Sequence, residues 1–159
     1  MQSIEREEGV SGVGREAVRS LHAMFAQVMW QLDEGLLGAH GISFGEFDVL
    51  AELTEVDGGV MRLSDLAERV CLSRSALSRR VDSLERAGLV DRRNCPTDKR
   101  GTFAALTEEG RVLAAASRVT HDQVVERVFL GKLSAVELQG FFEAARAVTR
   151  GAATPQCSE

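Results

Sequence analysis

Between Arg74 and Ala87 the chain reads Arg-Ser-Ala-Leu-Ser-Arg-Arg-Val-Asp-Ser-Leu-Glu-Arg-Ala. At about 100° per residue, Leu77, Val81 and Leu84 share one narrow face of a helix. Arg74, Ser75, Ser78, Arg79, Asp82 and Arg86 fall on the other side. An arginine fork can donate two bonds to guanine in a major groove, and serine is short enough to allow close approach. Ser73 stands in front of the helix as its cap. A solvated charged face would look much the same in isolation. The segment that follows separates the two readings: a hairpin whose tip carries Asp98, Lys99 and Arg100. A basic tip there can lie in a minor groove or on phosphates.

Charge distribution agrees. The 159-residue chain carries a net charge of -5, which taken whole disfavours a polyanion partner. Residues 69–100 nevertheless hold nine Lys/Arg against four Asp/Glu, while the remainder holds ten against twenty. Phosphate contact requires positive charge concentrated locally, not over the whole molecule.

Elements that position this segment can be read from apolar period and capping residues. Val18, Leu21, Phe25, Val28 and Leu32 recur at steps of three and four, predicting a long amphipathic helix over about 15–37 that ends at Gly38 to Gly41. Ser43 and Glu46 have capping-box spacing and open a second helix through Phe47, Leu50 and Leu53, ending near Asp57-Gly58-Gly59. After an extended Val60-Met61-Arg62, Ser64 is expected to cap a short helix over 65–70. Cys71-Leu72 makes the turn, with Cys71 expected to pack as a small apolar group. Gly88 stops the arginine-bearing helix. Leu89 to Asn94 and Thr102 to Leu106 read as the two strands of a wing. Thr107 caps a long helix to about Gly131, with Glu108 and Glu109 at its positive end. Ser134 and Glu137 form a second capping box and open a last helix with Leu138, Phe141, Phe142, Ala145 and Val148 along it.

Other chemistries find little support. Cys71, Cys95 and Cys157 are odd in number and lack paired spacing, so neither a disulfide framework nor a zinc site is indicated. His22, His40 and His121 are scattered, and no metal site or cofactor is expected. No GxSxG, P-loop or glycine-rich nucleotide motif is present, which argues against an enzyme. No apolar run approaches the ~20 residues of a membrane span. The N-terminus does not read as a secretory signal, and the expectation is a cytoplasmic protein.

The order of elements and three stretches of text resemble the MarR family of winged helix-turn-helix regulators. The stretches are Leu63-Ser-Asp-Leu-Ala-Glu-Arg69, the run from Ser73 to Val90, and Asp98-Lys-Arg100 followed by Leu106-Thr-Glu-Glu-Gly110. The resemblance implies a mainly α fold with a small β-wing (α+β). A winged helix-turn-helix lobe spans about 43–106. A helical dimerisation lobe is made from about 15–37, 107–131 and 134–150. Residues 1–14 and 151–159 are expected to be flexible. It further implies a homodimer on palindromic double-stranded DNA, usually a repressor, released by a small and often aromatic ligand. Carried over by position, Ser75, Ser78 and Arg79 resemble groove-facing residues and Arg100 the wing arginine. Asp98 resembles the acid that orients a neighbouring arginine.

The candidate DNA-binding set is thus Ser73, Arg74, Ser75, Ser78, Arg79, Arg86, Asp98, Lys99 and Arg100. A candidate effector pocket gathers His22, Phe25, Trp30, Phe44 and Phe47, whose aromatic walls and few polar groups suit a small aromatic acid; ordinary core packing is the competing role for each. Two alternatives stay open. One is a thiol switch at Cys95, with Arg92 and Arg93 nearby to favour the thiolate. The other is a helical interaction protein that does not bind DNA. The family's oxidant sensors carry a cysteine near the start of the first long helix, and this chain has none there.

Overall fold

Four helices begin where a hydroxyl side chain can accept an otherwise orphaned backbone N–H. In the computed structural model, which describes residues 12–94 and 102–150, Ser43 opens α2 (Phe44–Thr54) and Ser134 opens α6 (Ala135–Thr149), both with a complete capping box. Ser73 accepts from the Ala76 N–H at the start of α4 (Arg74–Arg86), and Thr107 accepts from the Gly110 N–H at the start of α5 (Glu108–Val128). Each cap is a local device worth about 1 kcal/mol, independent of distant packing.

The remaining elements are α1 (Gly12–His40), β1 (Val60–Arg62), α3 (Leu63–Arg69), β2 (Val90–Asn94) and β3 (Thr102–Leu106). Helix α1 is longer than its apolar period predicts. It passes straight through Gly38 and stops at Gly41, whose φ of 71° is costly for most residues with a side chain. Gly88, with φ 73°, follows the end of α4 as expected. Helix α2 ends at Thr54, before a separate 3₁₀ turn at Asp57–Gly59, and a second such turn, Leu130–Lys132, follows α5.

Two other expectations are corrected. Ser64 does not cap α3. The helix starts at Leu63 behind Arg62, which makes no side-chain cap bond, and the Ser64 hydroxyl instead donates to Asp65 Oδ1 at 2.9 Å. The start is set by β1, which pairs antiparallel with β3 (Met61 opposite Ala104) and so makes a three-stranded sheet in the order β1-β3-β2. Cys71 does not pack inward. It is exposed and holds φ 51°, the one non-glycine residue with positive φ among those described.

The main core lies under this sheet and the helices around it. Leu50 and Leu53 of α2, Leu66 of α3, Leu77, Val81 and Leu84 of α4, Val90 of β2 and Ala104 of β3 are all essentially inaccessible. The small side chains of Ala104 and Ala105 on the central strand let flanking elements approach.

The other half of the molecule is less enclosed. Helix α1 has buried residues only at Leu32 and Leu36, and near its C-terminal end it runs tightly along α5, where a Cβ on Gly35 would stand 2.9 Å from Val124 Cγ2. Residues 12–31 contribute nothing to the buried core. Helix α6 buries no residue at all, and Val136, Phe141, Phe142 and Val148 stand exposed on it.

Candidate nucleic-acid interface

Packing of Leu77, Val81 and Leu84 fixes which side of α4 faces outward. Arg74, Ser75, Arg79, Asp82 and Arg86 are exposed, and Ser73 and Ser78 are half-buried. Helical geometry divides these residues further. Ser75, Arg79, Asp82 and Arg86 project straight out, whereas Arg74 and Ser78 lie on the flank nearer the sheet. That flank opens into a cleft of about 420 Å³ lined by Arg62, Ser64, Arg74, Ser78 and Thr102 over Leu63 and Leu77. Arg86 is steadied by its own helix, Nε donating to the Asp82 carbonyl at 3.2 Å. The Ser73 hydroxyl serves the cap and also lies 3.2 Å from Ser75 Oγ. Asp98, Lys99 and Arg100, the wing-tip members of the candidate set, lie outside the described residues, as does Cys95.

Two arginines that the sequence reading gave no role in the interface fasten α4 in place. Arg80 points away from the outer face, toward α2, and its guanidinium lies against the backbone of Gly45. A Cβ at residue 45 would sit 1.3 Å from its Nη1, so only glycine leaves room for this approach. Its charge bears on Glu46 and Asp48. Burial raises the Glu46 carboxyl, but bonds from the Ser43 backbone and the Ser83 and Ser43 hydroxyls, with the Arg80 charge, outweigh it and hold the group below its ordinary value. For Asp48 the balance reverses: burial and the neighbouring Glu52 carboxylate push it up against the opposing pull of Arg80 and His121.

Arg92 fastens the other flank. In a strand alternate side chains share a face, so Arg92 points the same way as buried Val90, toward α4. Its Nη2 donates to the Ser78 carbonyl and to Ser78 Oγ, both at 3.1 Å, and to Asp82 Oδ1, while Nε lies 3.4 Å from Glu85 Oε2. Arg92 thereby neutralises the Asp82 carboxylate on the outward face of α4. No local pattern announces either clasp, because Arg80 and Arg92 find their partners across element boundaries.

The candidate effector residues separate into two groups. Phe47 is buried and Phe44 half-buried at the base of α2, and both rings stack on His121 of α5, with centroids 4.9 and 6.2 Å away. His22, Phe25 and Trp30 are on α1 with their side chains exposed, Phe25 at 64% and Trp30 at 57%. The ring contacts of Phe44 and Phe47 among the described residues include none to Trp30. Helix α1 touches the Phe44 end of α2 through Asp33, whose carboxylate accepts from the Phe44 N–H at 2.7 Å. His121 was legible only as one of three scattered histidines.

Among the described residues no group of histidine, cysteine or acidic side chains is placed to hold a metal ion, and no helix is long and apolar enough to cross a membrane. A family model described as MarR family matches residues 40–101. The chain is 35% identical over 106 residues to the transcriptional regulator HosA of Escherichia coli O111:H-, covering 61% of this chain and 78% of that protein. Among solved structures it is similar to AbsC, a MarR family transcriptional regulator from Streptomyces coelicolor, with 30% identity, a TM-score of 0.83 and coverage of 90% of this chain and 96% of AbsC. It is also similar to Sco3205, a MarR family transcriptional regulator of the same organism solved in complex with DNA, with 28% identity, a TM-score of 0.86 and coverage of 93% and 92%.

Proposed function

Because the chain belongs to the MarR family of DNA-binding transcription regulators, we propose that it acts in the cytoplasm as a homodimeric repressor of palindromic operators, released by a small aromatic ligand. The observation that carries the dimer is α6. A 15-residue helix with an apolar stripe at Leu138, Phe141, Phe142, Ala145 and Val148 and no buried residue has not finished folding within one chain. The exposed Val18, Leu21 and Phe25 of α1 supply a second surface of the same kind. A two-fold pairing through both would set two copies of α4 about 34 Å apart, one turn of duplex.

In this reading the N-terminal half of α4 enters the major groove. Ser75, Ser78 and Arg79 meet base edges; Ser73, Arg74 and Arg86 meet the flanking backbone. Lys99 and Arg100 of the wing tip reach the adjacent minor groove or its phosphates, and Asp98 orients the neighbouring arginine. Sco3205, crystallised with DNA, supports this use of the fold.

The ligand reading now rests on Phe44, Phe47 and His121, with His22, Phe25 and Trp30 joining the site only from the α1 side. An aromatic acid would stack there and favour a dimer with its recognition helices wrongly spaced. By linkage, operator DNA then weakens ligand binding by the same factor. Selection of genomic fragments by the purified protein, followed by footprinting with and without candidate aromatic carboxylates and phenols, tests the whole scheme. Two protected half-sites about one turn apart and loss of protection with an effector are expected. Removal of residues 134–159 should abolish both the dimer and the footprint. A truncated protein that remains dimeric and binds normally refutes the assembly.

A further inference from the structure

Arg92 can only donate hydrogen bonds, since a guanidinium has no acceptor. Its Nη2 has two N–H groups and three acceptors within reach: the Ser78 carbonyl, the Ser78 hydroxyl oxygen and the Asp82 carboxylate. Two N–H groups thus serve three acceptors, and the Ser78 hydroxyl oxygen meets Arg92 only as an acceptor. The hydroxyl oxygen of Ser78 accepts from a cation on its sheet side, which makes its remaining lone pair a poorer acceptor and its proton a better donor to anything else it meets. Ser78 is half-buried and lines the open cleft beside the outer face of α4, so that proton is available at the surface. A serine without such a neighbour can donate or accept and tells a partner little. A serine clamped by Arg92 is biased to donate.

We propose that Arg92 is a positioning residue of the DNA interface, which through its clasp on Ser78 makes that hydroxyl a donor to an acceptor atom on the duplex. The proposal rests on the reading that α4 enters the major groove. The acceptor belongs either to a base edge, such as guanine O6 or N7, adenine N7 or thymine O4, or to a backbone phosphate.

Full-length protein and a fragment it has itself selected from genomic DNA make the test. Ser78→Ala, Arg92→Gln and the double variant are titrated on that fragment across a salt series. Each single change should weaken binding by about five- to tenfold per half-site, the worth of one hydrogen bond, and by about the square of that on a fragment engaging both halves of the dimer. The double variant should be no weaker than the worse single, because both remove the same interaction. The slope of affinity on salt should stay that of the wild type. A directly phosphate-bound arginine would instead lose close to one unit of slope per half-site on substitution. Base-pair substitutions and single neutral methylphosphonates along the site distinguish the two sources. Ser78→Ala and Arg92→Gln should both lose sensitivity at one shared position, a base pair if the acceptor is a base edge and a phosphate if it is not. Additive losses, a reduced salt slope for Arg92→Gln, or a silent Ser78→Ala each overturn the proposal. Because Ser78→Ala only trims a hydroxyl on the outer flank of α4, it keeps the test sound should Arg92→Gln fold poorly. Failure of the wild type to prefer any fragment over bulk DNA would instead reject the groove reading on which the proposal stands.

Discussion

Phe142 gives the sharpest measure of what α6 lacks. A phenylalanine side chain carries about 200 Å² of largely apolar surface, and Phe142 leaves 51% of its own exposed. About 100 Å² is then free for a partner, or ~2.5 kcal/mol at ~25 cal/mol per Å². A two-fold interface uses the residue twice, so Phe142→Ala should cost a dimer about 5 kcal/mol, between three and four decades in its dissociation constant. Within the chain the same change removes little beyond the stacking of Arg146, 5.4 Å from the ring centre, an exposed pair worth about 0.5–1 kcal/mol. Sedimentation velocity over a nanomolar to micromolar range should show the variant dissociating where the wild type stays paired, with helical content preserved. Glu143→Ala, on the side of the same helix away from the centre of its apolar stripe, is the control and should leave the constant within a few-fold. A Phe142→Ala protein that pairs as tightly as the wild type would sink the argument that this face is covered by a second copy.

Other consequences follow from single sites. Arg79→Ala should cost ~1–3 kcal/mol of binding at particular operator positions, read by competition among site variants, and an equal loss on every sequence would move Arg79 to the phosphate backbone. Asp48→Asn should stabilise the fold at neutral pH. The native carboxyl titrates above its unfolded value of 3.8, so wild-type stability falls as pH rises through that window. Urea midpoints should thus converge for the two proteins in acid and separate toward neutrality. At Cys71, asparagine tolerates the left-handed backbone, while valine resists it by ~1–2 kcal/mol. Cys71→Asn should hold or raise the melting temperature and Cys71→Val should lower it, and the reverse order would show that the φ of 51° is not what governs this turn. Phe47→Ala should blunt an aromatic effector's release of DNA more than it weakens DNA binding alone, as measured by operator titration with and without the compound.

What was legible in the sequence was local or periodic. Ser43, Ser73, Thr107 and Ser134 each cap a helix because the hydroxyl and the N–H it serves lie three residues apart, and no distant contact can undo that arithmetic. The face of Leu77, Val81 and Leu84 was legible for the same reason. Ser64 had an equally good local pattern and does not cap, because the pairing of Met61 with Ala104, more than forty residues on, decides where α3 begins. Arg80 and Arg92 looked like two more cations in a basic segment. Their partners, Gly45 and Ser78, come from other elements, and only the fold brings them together. Trp30 and Phe25 looked like pocket walls beside Phe44 and Phe47, yet α1 holds them on its open surface.

That open stretch of α1 has a mechanical meaning. Burial begins only at Leu32, and the helix is gripped at Gly35, so residues 12–31 form a stiff rod of ~30 Å extending from a pivot. Tilting the rod by about 5° at the pivot carries its far end about 2.5 Å, enough to slide one layer of side chains half out of register with whatever surface clasps it. A disturbance too small to notice where α1 meets α5 therefore arrives magnified at the end of the rod. Gly35 sets how much of it is let through: any Cβ there presses on Val124 and shifts the fulcrum itself.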